Sequence, residues 1–289
     1  MARVHDLLKQ AARQRTAALM GIVNVTPDSF YDGGCYETPG AARERVGRLL
    51  AEGADILDIG GESSKPGAPR VSAEQQIERI RSALACAVEL GALISVDTAS
   101  PAVASFALAH GAHVINDVTC LSDPQLATVV AQHDAVLIVS HARAHQSEMR
   151  DFSEWPDADY SDVAAEVKNE LALARERAVA RGVRHDQVWF DPGLGFSKNA
   201  RHSIELLSRV AELASDGTPV VVGAGRKSFI KELDGSGPAD RLGGTIAASV
   251  WASRQGAQLV RVHDVAAVRQ ALLVEAALER PARVGASST

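Results

Sequence analysis

The sequence has few cysteines, no long apolar run and no signal segment. Its three cysteines, Cys35, Cys86 and Cys120, are an odd number at spacings that suit neither a disulfide framework nor a zinc site. A reducing compartment fits best, so we expect a cytoplasmic protein. No stretch approaches the roughly 18 apolar residues that cross a bilayer, and the charged segment from Met1 to Thr16 lacks the apolar core of a signal peptide. We therefore expect no membrane partner.

Positive charge is not concentrated anywhere in the chain. The 30 basic and 36 acidic residues are mixed and give a net charge of −6. This pattern lacks the basic stripe that nucleic-acid binding needs, so any bound anion must be held by local groups. The 289 residues are 46% hydrophobic, which is enough for a large core but long for one domain unless it is a barrel or a large α/β sheet.

Short β-branched runs alternate with longer stretches of helical periodicity. The predicted strands cover residues 19–25, 55–59, 93–96, 114–115, 136–139, 188–190, 219–222 and 259–262. Strands this apolar are typical of a parallel sheet covered on both faces, either doubly wound or closed into a barrel. Because every strand has a following helix and the count is eight, we predict an α/β fold of the (β/α)8 TIM-barrel type. We expect a single domain over residues 17–280, with tails at 1–16 and 281–289.

The helix boundaries carry recognisable signals. Glycine, which adopts the left-handed conformation that closes a helix, precedes four strands, at Gly53, Gly91, Gly111 and Gly256. Capping patterns open three helices, at Ser72 with Gln75, Ser100 with Pro101, and Asp123 with Pro124. The repeated unit is therefore a helix, a glycine stop, an apolar strand and a polar terminus.

Every predicted strand ends in a polar or charged residue. In a barrel the carboxyl ends of the strands share one face, where the loops build the active site. The residues at these ends are Asn24, Asp58 with Glu62, Asp97, Asn116, His141, Asp191, Lys227, and Arg261 with His263. A single polar residue shows only where a strand stops, whereas a complete ring predicts a site. Salt bridges within the ring are the competing explanation.

The residue types of this ring favour a particular class of ligand. Asp97, Asn116 and Asp191 follow directly after positions that should be buried. Carboxylates there persist only if donors satisfy them, so they are suited to accept from an amino-pyrimidine or guanidine-like edge. Lys227 and Arg261 bring positive charge to the same mouth. The ring thus predicts a ligand that combines a flat polar heterocycle with an anion.

Two glycine-rich segments fit the anionic half of such a ligand. Residues 60–67 follow the second strand and carry hydroxyls and a lysine, and residues 223–228 follow the seventh strand, a frequent phosphate position in barrels. Neither has the spacing of a P-loop. Asn24, with Asp28 and Asp32 nearby, offers the few oxygen ligands that Mg²⁺ accepts when phosphates supply the rest.

Five motifs occur in order between about Leu19 and Leu278. They read MGIVNVTPDSF at residues 20–30, DIGGES at 58–63, DPGLGF at 191–196, RKS at 226–228 and RVHD at 261–264. In sequence and order they resemble the motifs of the dihydropteroate synthase family. The resemblance implies a transferase of folate biosynthesis, a target of sulfonamides, that joins dihydropterin pyrophosphate to para-aminobenzoate and releases pyrophosphate.

The resemblance also implies roles for individual residues. The pterin would be held by Asp97, Asn116, Asp191 and Lys227, with Phe196 and Arg261 lining or stacking on it. The pyrophosphate would meet Ser64, Lys65, Arg261 and His263, with Mg²⁺ bound through Asn24. The first loop would fold over the site with Phe30 and Asp32, and the aminobenzoate would be bordered by Pro66 and Ser228. A homodimer is the expected assembly.

The sequence departs from the family pattern mainly on the aminobenzoate side. Ser64 and Lys65 stand where the family has threonine and arginine, and Gly225 stands where it has serine. Ser140 and Ala142 replace the methionines that usually flank the fifth-strand histidine. Neutral drift and altered specificity both explain these changes. Two other functions stay open: a related barrel that transfers a methyl group from a folate to a corrinoid, which needs neither Lys65 nor His263, and a non-catalytic pterin-binding paralogue.

Overall fold

The computed structural model describes residues 2–14, 16–25, 39–63, 67–144 and 155–279. The chain forms eight strands, each within about two residues of its predicted position. They are β1 Ala18–Asn24, β2 Ile56–Gly60, β3 Ile94–Asp97, β4 Val114–Asp117, β5 Val136–Ser140, β6 Val188–Asp191, β7 Val221–Gly223 and β8 Leu259–Val262. Neighbouring strands are parallel and follow the order β6-β5-β4-β3-β2-β1-β8-β7.

The two ends of this sheet meet and close a barrel. Phe190 of β6 forms a parallel bridge with Val220, just before β7, and its backbone N–H donates to the Pro219 carbonyl oxygen at 2.9 Å. Closure removes the exposed edges that an open doubly wound sheet would keep. The prediction of a (β/α)8 barrel is confirmed, and every strand end faces the same side.

In the described part of the chain, ten helices follow the strands and cover the outside of the barrel, and one, α1, precedes β1. They are α1 Ala2–Gln14, α2 Pro39–Glu52, α3 Ala73–Glu89, α4 Pro101–Ala109, α5 Gln125–Gln132, α6 Val163–Ala180, α7 Ala200–Ser208, α8 Val210–Leu213, α9 Ser228–Asp234, α10 Leu242–Arg254 and α11 Val265–Leu278. Within the described ranges, none of them is long and apolar enough to cross a membrane.

Two of the three predicted capping signals have the expected geometry. Ser72 and Gln75 form a capping box at α3, and the Ser100 hydroxyl accepts from the Val103 N–H at α4. At the third, α5 begins at Gln125, one residue later than predicted, with Pro124 at the N-cap position, and Asp123 Oδ1 accepts from the Gln125 N–H at 2.9 Å.

The glycines that close helices before β2, β3, β4 and β8 have positive φ angles, from +69° at Gly91 to +102° at Gly111. At this conformation a side chain would be strained, which explains the recurrent glycine.

Two apolar layers hold the barrel. One lies between the strands and the outer helices, and the other fills the interior, where Met20, Ile56, Ile138 and Trp189 are fully buried. Side chains two residues apart on a strand point to the same face. A polar residue that follows an inner apolar residue by two positions therefore also faces the interior, one layer nearer the carboxyl end of the barrel. Ile56 is followed in this way by Asp58, and Trp189 by Asp191. The apolar interior therefore forms the floor under the polar ring.

The amino-terminal segment differs from the sequence-based expectation. Residues 1–16 are predicted as a tail, but residues 2–14 form α1, and Val4 and Ala11 pack into the interior layer at the amino end of the barrel. This packing follows from apolar residues that share one face of α1. Charged residues lie between them in the sequence and make the segment look like a polar tail. The tail predicted for residues 281–289 lies outside the described residues.

We expect α1 to contribute to stability by covering the barrel floor. Val4→Ala removes buried methyl groups and should lower the free energy of unfolding by about 1.5–3 kcal/mol in urea denaturation. Val179→Ala is the matched control, because Val179 is 41% exposed on α6 and its truncation should change stability by less than about 0.5 kcal/mol. Equal effects of the two variants would show that α1 does not support the barrel.

Candidate active site

Arg261 lies between two carboxylates at the carboxyl end of the barrel. Its Nε donates to Asp58 Oδ2 at 2.6 Å, and its Nη2 donates to Asp97 Oδ2 at 2.9 Å. Asn116 joins the same group, because its Nδ2 donates to Asp58 Oδ2 at 3.2 Å. The structure thus brings Asp97, Asn116 and Arg261 together as predicted. Salt bridges within the ring, the competing explanation, are also present.

Asp58 fixes which way the Asn116 amide faces. Asp58 Oδ2 accepts from both the Arg261 guanidinium and the Asn116 amide, so the amide turns its Nδ2 towards Asp58 and its Oδ1 away. Asn116 Oδ1 and Asp58 Oδ1 are both buried, and neither has a hydrogen-bond partner among the described residues. Buried acceptors without donors are costly, so a ligand that brings N–H groups to Asn116 would gain by satisfying one.

Asp191 and Lys227 form a second group on the other side of the ring. A side chain on Gly223, between them, would lie 3.8 Å from Asp191 Oδ2 and 3.9 Å from Lys227 Nζ. Asp191 Oδ1 accepts from the Gly193 N–H at 2.7 Å, and Lys227 Nζ lies 4.5 Å from the centre of the Phe196 ring. Residues predicted to hold one ligand therefore converge from β6 and β7.

Burial shifts the protonation of these groups. Loss of solvent raises the pKa of Asp97 to about 7, although the Arg261 charge opposes the shift. Burial likewise raises the pKa of Asp191, against the Gly193 hydrogen bond and the Lys227 charge, and lowers the pKa of Lys227 to about 8. With Asp58, the ring holds three carboxylates and two cations. A ligand that donates hydrogen bonds stabilises the ionised carboxylates, which is the pattern expected of a binding site.

His263 follows β8 beside a buried ion pair. Burial, together with the nearby Arg261 and Arg45 charges, lowers the pKa of His263 to about 3, so the imidazole is neutral at pH 7. Next to it, Arg226 donates to Asp264 at 2.8 and 2.9 Å, which ties the β7 loop to the end of β8. This ion pair holds the loop that carries Lys227 and Ser228.

Two members of the predicted ring have structural roles instead. Glu62 accepts from the Val71 backbone N–H at 2.8 Å and from Gln76 Nε2 at 3.2 Å, and so anchors its own loop to α3. His141 is fully buried and bonded to Glu170 and Lys198 behind the ring. Both end strands as predicted, but their partners come from helices and loops that strand periodicity does not place.

The remaining predicted residues are only partly described. Asn24 ends β1, and its Oδ1 would lie 3.8 Å from a side chain on Gly60, close to Asp97. The described residues contain no group of three or more His, Cys, Asp or Glu side chains that could hold a metal ion. The predicted roles that lie outside the described residues are those of Phe30, Asp32, Ser64, Lys65 and Pro66.

Sequence reasoning assigned no role to three residues that organise the site. The strand-end pattern places Asp58 in the ring without a function, although a carboxylate inside an apolar strand is itself a signal of such a role. Arg226 adjoins the recognised lysine, and Lys198 follows the DPGLGF motif by two positions. Nothing in the sequence indicates that these two side chains turn back to partners distant in the chain.

A family model for pterin-binding enzymes matches residues 20–263, from within β1 to the residue after β8. The chain belongs to the pterin-binding enzyme family. Among relatives in this pterin-binding family, the dihydropteroate synthase of Escherichia coli is 38% identical over 262 residues, covering 90% of this chain and 91% of that protein. The dihydropteroate synthase of Synechocystis is 40% identical over 265 residues, covering 91% and 90%.

Solved structures of dihydropteroate synthases share this fold of the pterin-binding family. The Yersinia pestis enzyme in a sulfonamide drug complex has a TM-score of 0.86 at 34% identity, covering 93% of this chain and 96% of that one. The Xanthomonas albilineans enzyme with 4-aminobenzoic acid has a TM-score of 0.84 at 39% identity, covering 92% and 94%. The same enzyme in complex with 7,8-dihydropteroate has a TM-score of 0.79 at 37% identity, covering 92% and 95%.

We predict that Asp58 acts through its hydrogen bonds more than through its charge. Asp58→Asn keeps an oxygen that can accept from Arg261 and Asn116, whereas Asp58→Leu leaves both donors unpaired. A charged hydrogen bond contributes about 1.5–3 kcal/mol, so the leucine variant should bind a pterin at least about tenfold more weakly in calorimetry, and the asparagine variant much less so. Equal losses in the two variants would assign the effect to charge alone.

Proposed function

We propose that the chain is a dihydropteroate synthase. It would condense 6-hydroxymethyl-7,8-dihydropterin pyrophosphate with para-aminobenzoate to give 7,8-dihydropteroate and pyrophosphate. The observation that carries the proposal is the pairing of acceptors with cations at one mouth: Asp58 and Asp97 with Arg261, and Asp191 with Lys227. Asn116 joins the first group through Asp58. The relatives solved with 4-aminobenzoic acid and with 7,8-dihydropteroate hold the second substrate and the product of this reaction.

The acceptors suit the pterin half of the first substrate. The amino-pyrimidine edge of a pterin carries N–H donors, which match the carboxylates of Asp97 and Asp191 and the Oδ1 of Asn116. Phe196 offers a flat apolar surface on the same side, with the Lys227 ammonium above its ring. A flat heterocycle with donors along one edge therefore fits both the acceptors of the ring and the flat face of Phe196.

The reaction then requires position and charge rather than a protein nucleophile. The aryl amine nitrogen attacks the pterin methylene carbon, and the carbon–oxygen bond to pyrophosphate breaks. Pyrophosphate leaves with the bonding electron pair, and the attacking nitrogen releases one proton to solvent. Groups that stabilise negative charge where it develops usually contribute most to catalysis. We assign Arg261 and His263 to the leaving group, joined by Ser64 and Lys65.

His263 serves this role in its neutral form before substrate binds. Because its pKa lies near 3 in the free protein, it meets the pyrophosphate as a hydrogen-bonding imidazole. An anion at hydrogen-bonding distance favours the protonated ring and so raises this pKa. His263 can thus gain positive charge as negative charge develops on the leaving pyrophosphate, whereas Arg261 is charged throughout.

We also propose that Mg²⁺ takes part, bound through Asn24. Mg²⁺ prefers oxygen ligands, keeps several waters and accepts phosphate oxygens, so a single amide oxygen beside the ring suffices on the protein side. When bound, the ion would stabilise negative charge on the pyrophosphate. Asn24 would hold that ion at the end of β1, where its Oδ1 and Asp97 both lie within 4 Å of a side chain on Gly60.

The aminobenzoate side is bordered by the β7 loop. Ser228 begins α9, and Gly225 lies three residues before it. A side chain on Gly225 would lie 3.3 Å from the Val262 Cα and 3.5 Å from His263 Cδ2. The usual serine would therefore need a small shift of the β8 end, and glycine relieves that contact while removing a hydroxyl. A homodimer remains our expectation for the assembly.

The direct test of the proposed function is pyrophosphate release. Protein mixed with dihydropterin pyrophosphate, para-aminobenzoate and Mg²⁺ should release one pyrophosphate for each dihydropteroate formed. Asp97→Asn should raise the pterin KM by about tenfold or more, because it replaces a charged acceptor in the floor, while exposed Asp123→Asn should leave both substrates unaffected.

Other outcomes identify the alternatives. Tight pterin binding without pyrophosphate release would make the chain a non-catalytic paralogue. Methyl transfer from a folate to a corrinoid, with no reaction of para-aminobenzoate, would place it among the related methyltransferases.

A second prediction separates the metal from the pterin floor. Chelation of Mg²⁺ should abolish turnover and leave the affinity for a plain pterin nearly unchanged, since Asp97, Asn116 and Asp191 need no metal to accept hydrogen bonds. Asn24→Ala should raise the Mg²⁺ concentration needed for half-maximal activity. Loss of pterin binding on chelation would indicate a structural metal instead.

A further inference from the structure

The loop after β6 rests directly on the end of β5. Gly193, Gly195 and Ser197 all have positive φ, at +65°, +81° and +49°. A side chain on Gly193 would collide with the His141 carbonyl oxygen. This loop presents Asp191 and Phe196 to the pterin pocket, so whatever holds it against β5 also sets one wall of that pocket.

Two side chains join these segments: the Ser197 hydroxyl, which accepts from the Arg143 and Ala144 N–H groups at 3.0 Å, and Lys198. Lys198 is fully buried, and its Nζ lies 2.8 Å from His141 Nδ1, 2.9 Å from the Phe196 carbonyl oxygen and 3.3 Å from the His141 carbonyl oxygen. An ammonium has three N–H donors and no acceptor, so these three acceptors satisfy it completely. Lys198 is therefore a three-way link between the end of β5 and the backbone of the pocket wall.

This link determines the tautomer of His141. Because Lys198 Nζ can only donate when charged, His141 Nδ1 must be the unprotonated nitrogen, and Nε2–H donates to Glu170 Oε2 at 2.9 Å. Burial and the Lys198 charge lower the pKa of His141 to about 4, so the ring stays neutral at pH 7. Each nitrogen of the imidazole thus has one fixed role.

Further contacts connect His141 back to the loop after β6, through Glu170 on α6, Arg143 and Tyr160. Glu170 accepts from Arg143 Nε at 3.1 Å, and the Arg143 guanidinium lies 3.9 Å from the centre of the Tyr160 ring. Tyr160 Oη donates to the Ser197 carbonyl oxygen at 3.0 Å, one residue before Lys198. We call Lys198, His141, Glu170, Arg143 and Tyr160 the wall circuit.

We propose that Lys198 is a positioning residue for the pterin pocket: its ammonium, held by His141 and Phe196, fixes the loop that presents Asp191 and Phe196 to the substrate. The proposal rests on the proposed function, because it concerns pterin binding. Lys198 itself is fully buried, so it acts through the loop rather than on the reacting atoms.

The charge of Lys198 makes this positioning sensitive to pH. Burial lowers the Lys198 pKa to about 7, against the attraction of Asp191 on β6. The other groups facing it are Cys120 after β4, Glu170 on α6, and Arg143 and His141 after β5. As pH rises through about 7, the neutral amine keeps two N–H donors for three acceptors, and Asp191 loses a positive neighbour. Pterin affinity should therefore fall on the alkaline side.

The experiment measures pterin affinity and substrate constants for three variants. Lys198→Met keeps the length of the side chain without its donors and should weaken pterin binding by about tenfold or more, the equivalent of losing one charged hydrogen bond. The KM for para-aminobenzoate should stay close to that of the parent. Lys168→Met is the matched control on α6, because Lys168 bonds Ser215 at the surface, and it should change neither constant.

A pH profile separates positioning from simple stabilisation. Arginine stays charged throughout the accessible range, so Lys198→Arg should flatten the fall in pterin affinity above about pH 7. Asp97 and Lys227 titrate nearby in every variant and affect all profiles alike. The test is therefore the difference between the pH profiles of pterin affinity for the parent and for Lys198→Arg. Superimposable profiles would overturn the proposal.

Two further measurements decide the matter if Lys198→Met fails to fold. Nitrogen NMR of the parent protein should show His141 with a protonated Nε2 and an unprotonated Nδ1, and the reverse tautomer would contradict the circuit. Tyr160→Phe keeps the ring but loses the bond to Ser197, and should weaken pterin binding without changing the KM for para-aminobenzoate. Unchanged pterin affinity would count against the circuit. A parent protein that binds no pterin would refute the proposed function instead.

Discussion

The site depends on one guanidinium held between two carboxylates inside the barrel. Arg261 comes from β8, Asp58 from β2 and Asp97 from β3, so a single side chain connects three strands across the ring. Burying such charges is costly unless each one is paired and hydrogen-bonded. Asn116 satisfies part of that demand through Asp58 and is oriented by it in return. The arrangement of the acceptors therefore follows from the position of Arg261.

The apolar floor explains why these charges behave as they do. Met20, Ile56 and Trp189 fill the barrel below the ring, and α1 covers its amino end. The strands β2, β4, β6 and β8 change from apolar to polar over two residues on the inner face, so their polar groups lie on an apolar layer. Low solvation raises the pKa of Asp97 and Asp191 and lowers that of Lys227 and His263. These pKa shifts thus depend on the apolar floor of the barrel as well as on the neighbouring charges of the site.

The sequence predicts strands and strand ends well because both depend on local periodicity. Parallel strands in a barrel must end on one face, so the pattern predicts a shared site for the residues at these ends: Asp97, Asn116, Asp191, Lys227 and Arg261. The pattern does not predict contacts between residues that are distant in the chain. Lys198 contacts His141, 57 positions away, and α1 packs below strands that lie far along the sequence. Those contacts depend on how loops turn back, which composition and spacing do not encode.

Arg261 combines a structural role with the capacity to bind a substrate because of its geometry. A guanidinium carries five N–H donors in a rigid plane, and the two carboxylates engage only its Nε and Nη2. Its Nη1 makes no hydrogen bond to the described residues, so donors remain for an anion while the link between β2, β3 and β8 stays intact. A lysine groups its three donors around a single atom, so it lacks the rigid fork that reaches two carboxylates and an anion from separate nitrogens. The planar fork therefore lets one residue hold the acceptors in place and still offer donors to an anion, as the proposed role at the leaving group requires.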